Sequence, residues 1–226
     1  MLYVNEIFES IQGEGPFVGV PALFVRLQGC NLSELSCGPC KMCDTSYAIS
    51  TKSSPLHLTE GDFLQYLKGV NPLLLVITGG EPLRQQEDLL KCLTEAPREL
   101  VPKINVETNG TISPSSAWAK LDTLFSVSPK PHSDAFLDLP SFKPFERILK
   151  VVYDETVGDF TFARQVFRYA AQLGITSTND IYVMPESRSR ETFIKRGLKC
   201  FEFCMQFGFR FGPREHLVLF DGVSGR

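Results

Sequence analysis

Four of the chain's seven cysteines, Cys30, Cys37, Cys40 and Cys43, fall within 14 consecutive positions. Thiolates packed this closely in sequence suit a soft metal or an iron–sulfur cluster. An odd cysteine total argues against a disulfide framework. Two readings of the loop compete. A zinc site would close a tetrahedron with four ligands, which these cysteines can supply. An iron–sulfur cube held by only three thiolates would leave one iron open to an outside ligand. The loop by itself does not choose between them.

Two further segments carry chemistry. The stretch Thr78-Gly79-Gly80-Glu81-Pro82 follows the apolar run Leu73–Thr78. Paired glycines let backbone approach a ligand closely, and Glu81 adds an acceptor suited to an amino group. Arg26 sits within an apolar run, where a charge is expensive without a partner. Its planar, paired donors match a carboxylate.

These residues need a scaffold, and the hydrophobic pattern supplies one. Strands are predicted over Ala22–Gln28, Leu73–Thr78, Lys103–Glu107, Thr123–Val127, Arg147–Val152 and Asp180–Val183, with His216–Phe220 as a last strand. The continuous apolar run before Thr78 fits a strand buried on both faces of a parallel sheet. Helices are predicted over Glu60–Lys68, capped by Thr59, and over Glu87–Glu95, Asp159–Leu173 and Arg190–Phe207. In the third, Phe160, Ala163, Val166, Phe167, Ala170 and Leu173 form the expected buried stripe, and Gly174 ends it. Alternating strands and helices imply parallel strands with right-handed crossovers. Six strands are too few for a closed eight-stranded barrel, so the fold class expected is α/β, an incomplete TIM-like barrel of about six parallel strands with outer helices. Ligands should gather at the C-terminal strand ends. One domain over 1–226 is expected, with a long aperiodic loop at about 30–58 that carries the cysteines.

Composition narrows the function classes. Hydrophobic residues make up 43% of the chain, enough for a core, and the net charge of −3 with scattered basic residues excludes a nucleic-acid surface. No apolar run is long enough to span a membrane. The N-terminus lacks the features of a signal peptide, so a cytoplasmic protein is expected.

The segments together resemble the 7-carboxy-7-deazaguanine synthase family of the radical S-adenosylmethionine (SAM) superfamily. Gln12-Gly13-Glu14-Gly15, the stretch Gly19-Val20-Pro21-Ala22 through Arg26-Leu27-Gln28-Gly29-Cys30-Asn31-Leu32, and Cys40-Lys41-Met42-Cys43-Asp44-Thr45 carry the likeness. Thr78-Gly79-Gly80-Glu81-Pro82, Val106-Glu107-Thr108-Asn109-Gly110-Thr111 and Ser128-Pro129-Lys130 complete it, in the family's order, over the first 130 residues. The superfamily's usual spacing is C-x3-C-x2-C; here nine residues separate Cys30 from Cys40, as in members with an insertion after the first cysteine.

The resemblance implies a [4Fe-4S] cluster on Cys30, Cys40 and Cys43, with Cys37 left over as a thiol in the inserted loop. It implies Ile11, Gln12, Gly13, Glu14, Arg26 and Thr78 around the substrate, with Arg26 on its carboxylate. Thr45 resembles the family's Mg²⁺ ligand, consistent with that ion's preference for oxygen. SAM would meet Gly80, Glu81, Glu107, Asn109, Ser128, Pro129, Lys130 and the loop Met184, Pro185, Glu186 and Ser187. Met184 stands where the family often has Gln. The family often ends with an Arg, a Gln and a His on one strand. Arg210 and His216 could correspond, but Arg214 stands where Gln is expected, and a core or strand-edge histidine is the simpler reading of His216.

The activity implied is radical ring contraction of 6-carboxy-5,6,7,8-tetrahydropterin to 7-carboxy-7-deazaguanine with loss of ammonia, SAM acting catalytically. The resemblance further implies an electron donor such as flavodoxin or ferredoxin, and a homodimer. Two other readings fit parts of the sequence. One is a radical SAM activating enzyme acting on a partner protein, which pterin turnover separates. The other is a non-catalytic zinc module, which iron content separates.

Overall fold

Apolar runs with period-two alternation set up one sheet. The computed structural model describes residues 1–34, 40, 43, 45–49, 55–70, 72–130 and 133–223. Its strands are β1 (Leu2–Ile11), β2 (Pro21–Leu27), β3 (Leu56–Leu58), β4 (Leu74–Gly79), β5 (Lys103–Thr108), β6 (Thr123–Val127), β7 (Glu146–Tyr153), β8 (Ile181–Pro185) and β9 (Arg210–Phe211). The helices are α1 (Glu60–Val70), α2 (Gln86–Glu95), α3 (Asp159–Leu173), α4 (Arg190–Phe207) and α5 (Glu215–Phe220). The strands form one sheet in the order β3-β1-β2-β4-β5-β6-β7-β8-β9. From β2 to β9 every neighbouring pair is parallel, while β1 runs antiparallel to both β2 and β3. The parallel run thus has seven strands, and the sheet stays open, a partial barrel with outer helices.

Alternation along the parallel strands gives the two faces different tasks. Val25 and Leu27, Leu75 and Ile77, Ile104 and Val106, Phe125 and Val127, Leu149 and Val151, and Ile181 and Val183 join the main core. There they pack with Phe63 and Leu67 of α1, Leu89 and Leu93 of α2, Phe162 and Val166 of α3, and Cys200 and Phe203 of α4. Each fully buried side chain of this kind contributes about 1.5–3 kcal/mol, so this layer carries most of the stability. On the opposite face, Ala22, Leu74 and Val76 form one small apolar cluster and Leu124, Ile148 and Tyr182 another; Phe17 packs against both. These lie toward the N-terminal strand ends. One alternation further along, the same face turns polar, with Arg26, Thr78, Glu107 and Lys150. The apolar clusters therefore form a floor, and the polar groups stand above it at the C-terminal ends.

Several elements follow the sequence closely. Thr59 and Asp62 cap α1 reciprocally: the Asp62 N–H donates to Thr59 Oγ1 at 3.2 Å and the Thr59 N–H to Asp62 Oδ2 at 2.9 Å. Gly174 ends α3 with φ 68°, a left-handed cap that glycine adopts freely.

Three features differ from expectation. β1 was not anticipated, because Asn5, Glu6, Glu9 and Ser10 break its apolar run and its pairing with β2 shifts between Val4 and Glu6. His216–Phe220 is helical, lying within α5, where the N–H groups of Leu217 and Val218 both donate to the Arg214 carbonyl. A short apolar run does not by itself separate strand from helix, and β9 takes the last strand position instead. On α3 the buried stripe runs through Phe162, Ala163, Val166, Tyr169, Ala170 and Leu173, leaving Phe160 73% and Phe167 45% exposed. Those two rings pack instead on Phe207 and Phe209, at centroid distances of 5.6 and 5.0 Å.

Candidate functional site

A cavity of about 330 Å³ opens at the C-terminal ends of the parallel strands, within the size range of small-molecule sites. Arg26, Thr78, Glu107, Lys150 and Met184 line it from the strands, and Ser128 just beyond β6. Ile11, Gln12, Gly13, Glu14, Cys30, Cys40, Cys43, Thr45, Gly80, Asn109, Lys130, Glu186 and Ser187 line it from strand ends and loops. The chain thus brings together nearly all of the residues singled out in its sequence. Cys37 lies outside the described residues.

The thiols sit on one wall. The Cys43 N–H donates to the Cys40 carbonyl at 3.0 Å, and Cys43 Sγ lies 3.8 Å from Thr45 Oγ1. Burial raises the Cys30 thiol, and it pushes the Cys40 thiol up to about 11 against the opposing charge of Lys130. Metal ligation would deprotonate both. Among the described residues no three His, Cys, Asp or Glu side chains converge to hold a single ion. A cuboidal cluster asks for something else, one thiolate per iron around a larger body. Cys30, Cys40 and Cys43 all border the same cavity, so the donor set fits such a cluster.

The glycine pair does more than admit a ligand. A Cβ on Gly79 would fall 2.2 Å from the Leu27 carbonyl oxygen, and one on Gly80 would fall 2.0 Å from that of Gly29. Gly79 also has φ 129°, which side-chain-bearing residues rarely adopt. The N–H of Gly80 donates to Leu27 O at 3.2 Å and that of Glu81 to Gly29 O at 2.9 Å. The end of β4 is thereby stitched against the end of β2, next to Cys30. Asn109 makes a second stitch: its Nδ2 donates to Asn31 Oδ1 at 3.0 Å.

Glu81 is completely buried and does not border the cavity. Its carboxylate accepts from the Asn109 N–H at 2.7 Å, Thr108 Oγ1 at 2.8 Å and the Leu83 N–H at 3.1 Å. Burial raises its carboxyl, and these three donors oppose that rise. The side chain expected to receive an amino group is spent on holding two loops together. Pro129 and Pro185 likewise stand outside the lining, between residues that belong to it.

Opposite the thiols lies an ionic hub. Lys150 Nζ donates to Glu107 Oε1 at 2.7 Å and to Glu14 Oε2 at 2.9 Å. Arg214 Nε donates to Glu14 Oε1 at 2.7 Å, and its Nη1 reaches the Ser187 carbonyl. His216 Nε2 lies 3.9 Å from Glu14 Oε1. Thr78 Oγ1 donates to Glu107 Oε2 at 3.0 Å, and Gln12 reaches both carboxylate residues, through its Nε2 to Glu107 at 3.4 Å and through its Oε1 to the Glu14 N–H at 3.1 Å. Burial pushes the Glu14 carboxyl up, but Lys150, Arg214 and His216 together hold it well below the usual carboxylate range. Burial pulls the Lys150 ammonium down, and the charges of Glu107 and Glu14 hold it above the usual lysine value.

Arg26 faces Glu6 across the β1–β2 pair, its Nε 2.7 Å from Glu6 Oε1. Its guanidinium carbon lies 5.7 Å from the Tyr47 ring and 6.0 Å from that of Phe8, within cation–π range. Tyr47 in turn donates to Glu6 Oε1 at 3.0 Å.

Lys150, Arg214 and Tyr47 were not anticipated as members of the site. For Lys150 the sequence did carry a signal: a lone charge between Leu149 and Val151 in an apolar strand demands a buried partner. Arg210 faces away, bordering a second cavity near the opposite ends of the strands and donating to the Tyr182 hydroxyl at 3.0 Å. His216 is neither a core nor a strand-edge residue, because α5 brings it to the cavity wall.

An open parallel βα barrel with three cysteines on the loop after its first parallel strand, beside a cavity that holds paired charges, defines the radical SAM class of enzyme. No protein-family model matches the chain. The 7-carboxy-7-deazaguanine synthase of Hyperthermus butylicus is 34% identical over 97% of this chain and 93% of that relative. The Pyrobaculum aerophilum protein of the same name is 31% identical over 99% of this chain and 96% of its own. The crystal structure of QueE from Escherichia coli superposes with a TM-score of 0.66 at 25% identity, covering 93% of this chain and 92% of that one. The chain belongs to the 7-carboxy-7-deazaguanine synthase family. That family is of the radical SAM type, which implies an iron–sulfur cluster and SAM.

Proposed function

We propose that this chain converts 6-carboxy-5,6,7,8-tetrahydropterin to 7-carboxy-7-deazaguanine, with loss of ammonia, in a deazapurine pathway of the queuosine or archaeosine type. One observation carries the reading. A single cavity joins three thiols to a carboxylate-binding cation, Arg26, and a clamped carboxylate, Glu14. When bound, the cluster and SAM would supply the radical chemistry of hydrogen abstraction.

The chain's own residues bind, orient and exclude. Cys30, Cys40 and Cys43 hold the cluster. Arg26 takes the substrate carboxylate on its terminal nitrogens while Glu6 keeps hold of Nε. Glu14 accepts from the pterin's amino and ring N–H groups, with Ile11, Gln12, Gly13 and Thr78 framing it. Gly80, Glu107, Asn109, Ser128, Lys130, Met184, Glu186 and Ser187 border the SAM volume, and Glu81, Pro129 and Pro185 shape its backbone. Thr45 offers an oxygen to Mg²⁺, which keeps much of its water shell. The apolar floor of the sheet closes the cavity from below and keeps water from the reacting bond.

The whole chain acts as one domain whose cluster loop spans 30–58. Its reductant is of the flavodoxin or ferredoxin class, and its setting is the reducing cytoplasm. Among the described residues no helix is long and apolar enough to cross a membrane. The protein forms a homodimer. Ile194, Leu198, Phe201 and Met205 recur every three or four residues along α4 and are 68%, 66%, 48% and 70% exposed, an apolar stripe suited to a second copy. Light scattering on Leu198→Glu tests this, a monomer being the expected result.

Anaerobic reconstitution tests the main reading. About four irons per chain and turnover of the tetrahydropterin support it; a colourless protein with one zinc and no turnover removes it. Arg26→Ala should weaken pterin binding far more than SAM binding. Equal losses would reject its role on the carboxylate.

A further inference from the structure

Within the cavity, Lys150 stands apart from the groups that the family likeness singled out. It lies in the middle of β7 and only 5% of it is exposed, yet it carries a full charge between the apolar pairs Ile148–Leu149 and Val151–Val152. Burial of an ammonium is tolerated only when it is paired and hydrogen-bonded. Here the two partners come from different parts of the chain: Glu14 from the loop after β1, 136 positions away, and Glu107 from β5, 43 positions away. The three donors of an ammonium suit this bridging, whereas a planar guanidinium favours one carboxylate at a time.

The surroundings fix what each carboxylate would lose. Glu14 would keep Arg214 at 2.7 Å and His216 at 3.9 Å. Glu107 would keep the neutral donors Thr78 and Gln12. The other ionisable groups bordering the same cavity are Arg26, Lys130, Arg188 and Glu186, with the phenol of Tyr47 and the thiols of Cys30, Cys40 and Cys43. Without Lys150, two carboxylates would face one another's field with a single close cation between them.

We propose that Lys150 is a positioning residue: by bridging Glu14 to Glu107 it fixes Glu14 as an anionic acceptor at one wall of the cavity, set to receive the N–H edge of the substrate heterocycle, with Glu107 as the anchor on the other side of the bridge. The inference rests on the assignment of Glu14 to the substrate made above. It adds a division of labour in which Glu14 reads the heterocycle and Lys150 keeps Glu14 ionised and in register. An acceptor held this way favours a ring edge presenting amino and ring N–H donors and rejects one presenting a carbonyl, because two acceptors would then face each other unpaired.

The test uses full-length, iron-reconstituted protein with SAM bound. Binding of the unreactive aromatic 6-carboxypterin is measured against pH for the parent, Lys150→Met and Lys150→Arg. In Lys150→Met the pterin should bind about tenfold or more weakly at pH 7, and the acidic limb of binding should move up by about one pH unit, the equivalent shift. SAM affinity and iron content should stay within about twofold of the parent. Lys150→Arg keeps the charge and should restore the acidic limb, with affinity recovered only in part. An unchanged limb in Lys150→Met overturns the inference, as does an equal loss of SAM affinity. Should Lys150→Met fail to fold, Lys150→Arg decides: a limb matching the parent supports the proposal, and failure to load iron makes Lys150 a structural residue and overturns it. A parent protein that binds neither pterin nor turns over the tetrahydropterin would instead strike the underlying assignment.

Discussion

Glu81→Ala separates a scaffold role from a ligand role for the acidic residue of the Gly-Gly-Glu-Pro turn. The change removes the acceptor of three donors: the N–H groups of Asn109 and Leu83 and the Thr108 hydroxyl. Leaving a buried donor unpaired costs about 1–3 kcal/mol. The three share one carboxylate, so their losses do not add fully. The change also removes a carboxyl whose ionisation burial disfavours. A net loss of about 3–5 kcal/mol results, a large share of the roughly 5–15 kcal/mol that holds a typical domain together. For a chain of this length each kcal/mol moves the melting temperature by roughly 2–4 °C, so a fall of about 10 °C is expected. Glu81→Gln keeps the shape and one acceptor but turns an NH2 group toward a donor, and should fall between parent and Ala. Differential scanning calorimetry of the protein without SAM reads both. A melting temperature within about 2 °C of the parent for Glu81→Ala, together with a tenfold loss of SAM affinity, would refute the scaffold role.

Three other outcomes are expected. Cys30→Ala, Cys40→Ala and Cys43→Ala should each abolish cluster binding by iron analysis while Cys37→Ala keeps it; loss in Cys37→Ala with retention in Cys30→Ala would show the wrong ligand set. Gly80→Ala forces a methyl group to within 2.0 Å of the Gly29 carbonyl oxygen. It should cost about 1–3 kcal/mol and lower iron loading by displacing Cys30, and normal melting with full loading would contradict the close approach. Glu14 is held below its usual range, so its contribution to stability is complete above about pH 4.3 and fades as pH falls through its lowered value. Lys150 is held above its usual value, so its contribution is complete below about pH 10.4 and fades as pH climbs through its raised value. Thermal melts should therefore show no transition from the Glu14–Lys150 pair between about pH 5 and 10, whereas one that Lys150→Arg shifts within that window would contradict the pairing.

The buried strands were legible because their patterns are local. Leu73–Thr78 reads as a strand from six consecutive residues, one position ahead of the observed Leu74–Gly79, and Gly174 announces the end of α3 by its type alone. β1 was hidden because polar residues interrupt its apolar alternation, so its Glu6 looks like a loop residue until Arg26 is placed beside it. The short run at His216 could not be read, since helix and strand patterns coincide over five residues. On the site, the cysteine wall and the Gln12–Glu14 loop were visible as motifs. The bonds of Glu81 to Leu83, Thr108 and Asn109 were not legible, because sequence shows that an acceptor is near a glycine pair without showing which side of the backbone it takes. Arg214 and Lys150 escaped because their meaning lies in pairs separated by 200 and 136 positions, and no local pattern records such distances.

The antiparallel ribbon at the sheet's edge has a consequence for the segment 28–55, which carries Cys30, Cys40 and Cys43. That loop leaves the end of β2 and returns through β3, and both strands are zipped to β1. Its anchor points therefore stay a fixed distance apart, roughly two strand spacings or about 10 Å, however much polypeptide lies between them. Chain closure grows only with the logarithm of contour length, so nine residues between Cys30 and Cys40 where three would serve add only about 0.2 kcal/mol to a loop of this length. The segment nearest the chemistry is thus also a place where the protein can tolerate insertions, and relatives can differ in how they cover the mouth of the barrel without re-engineering the barrel itself.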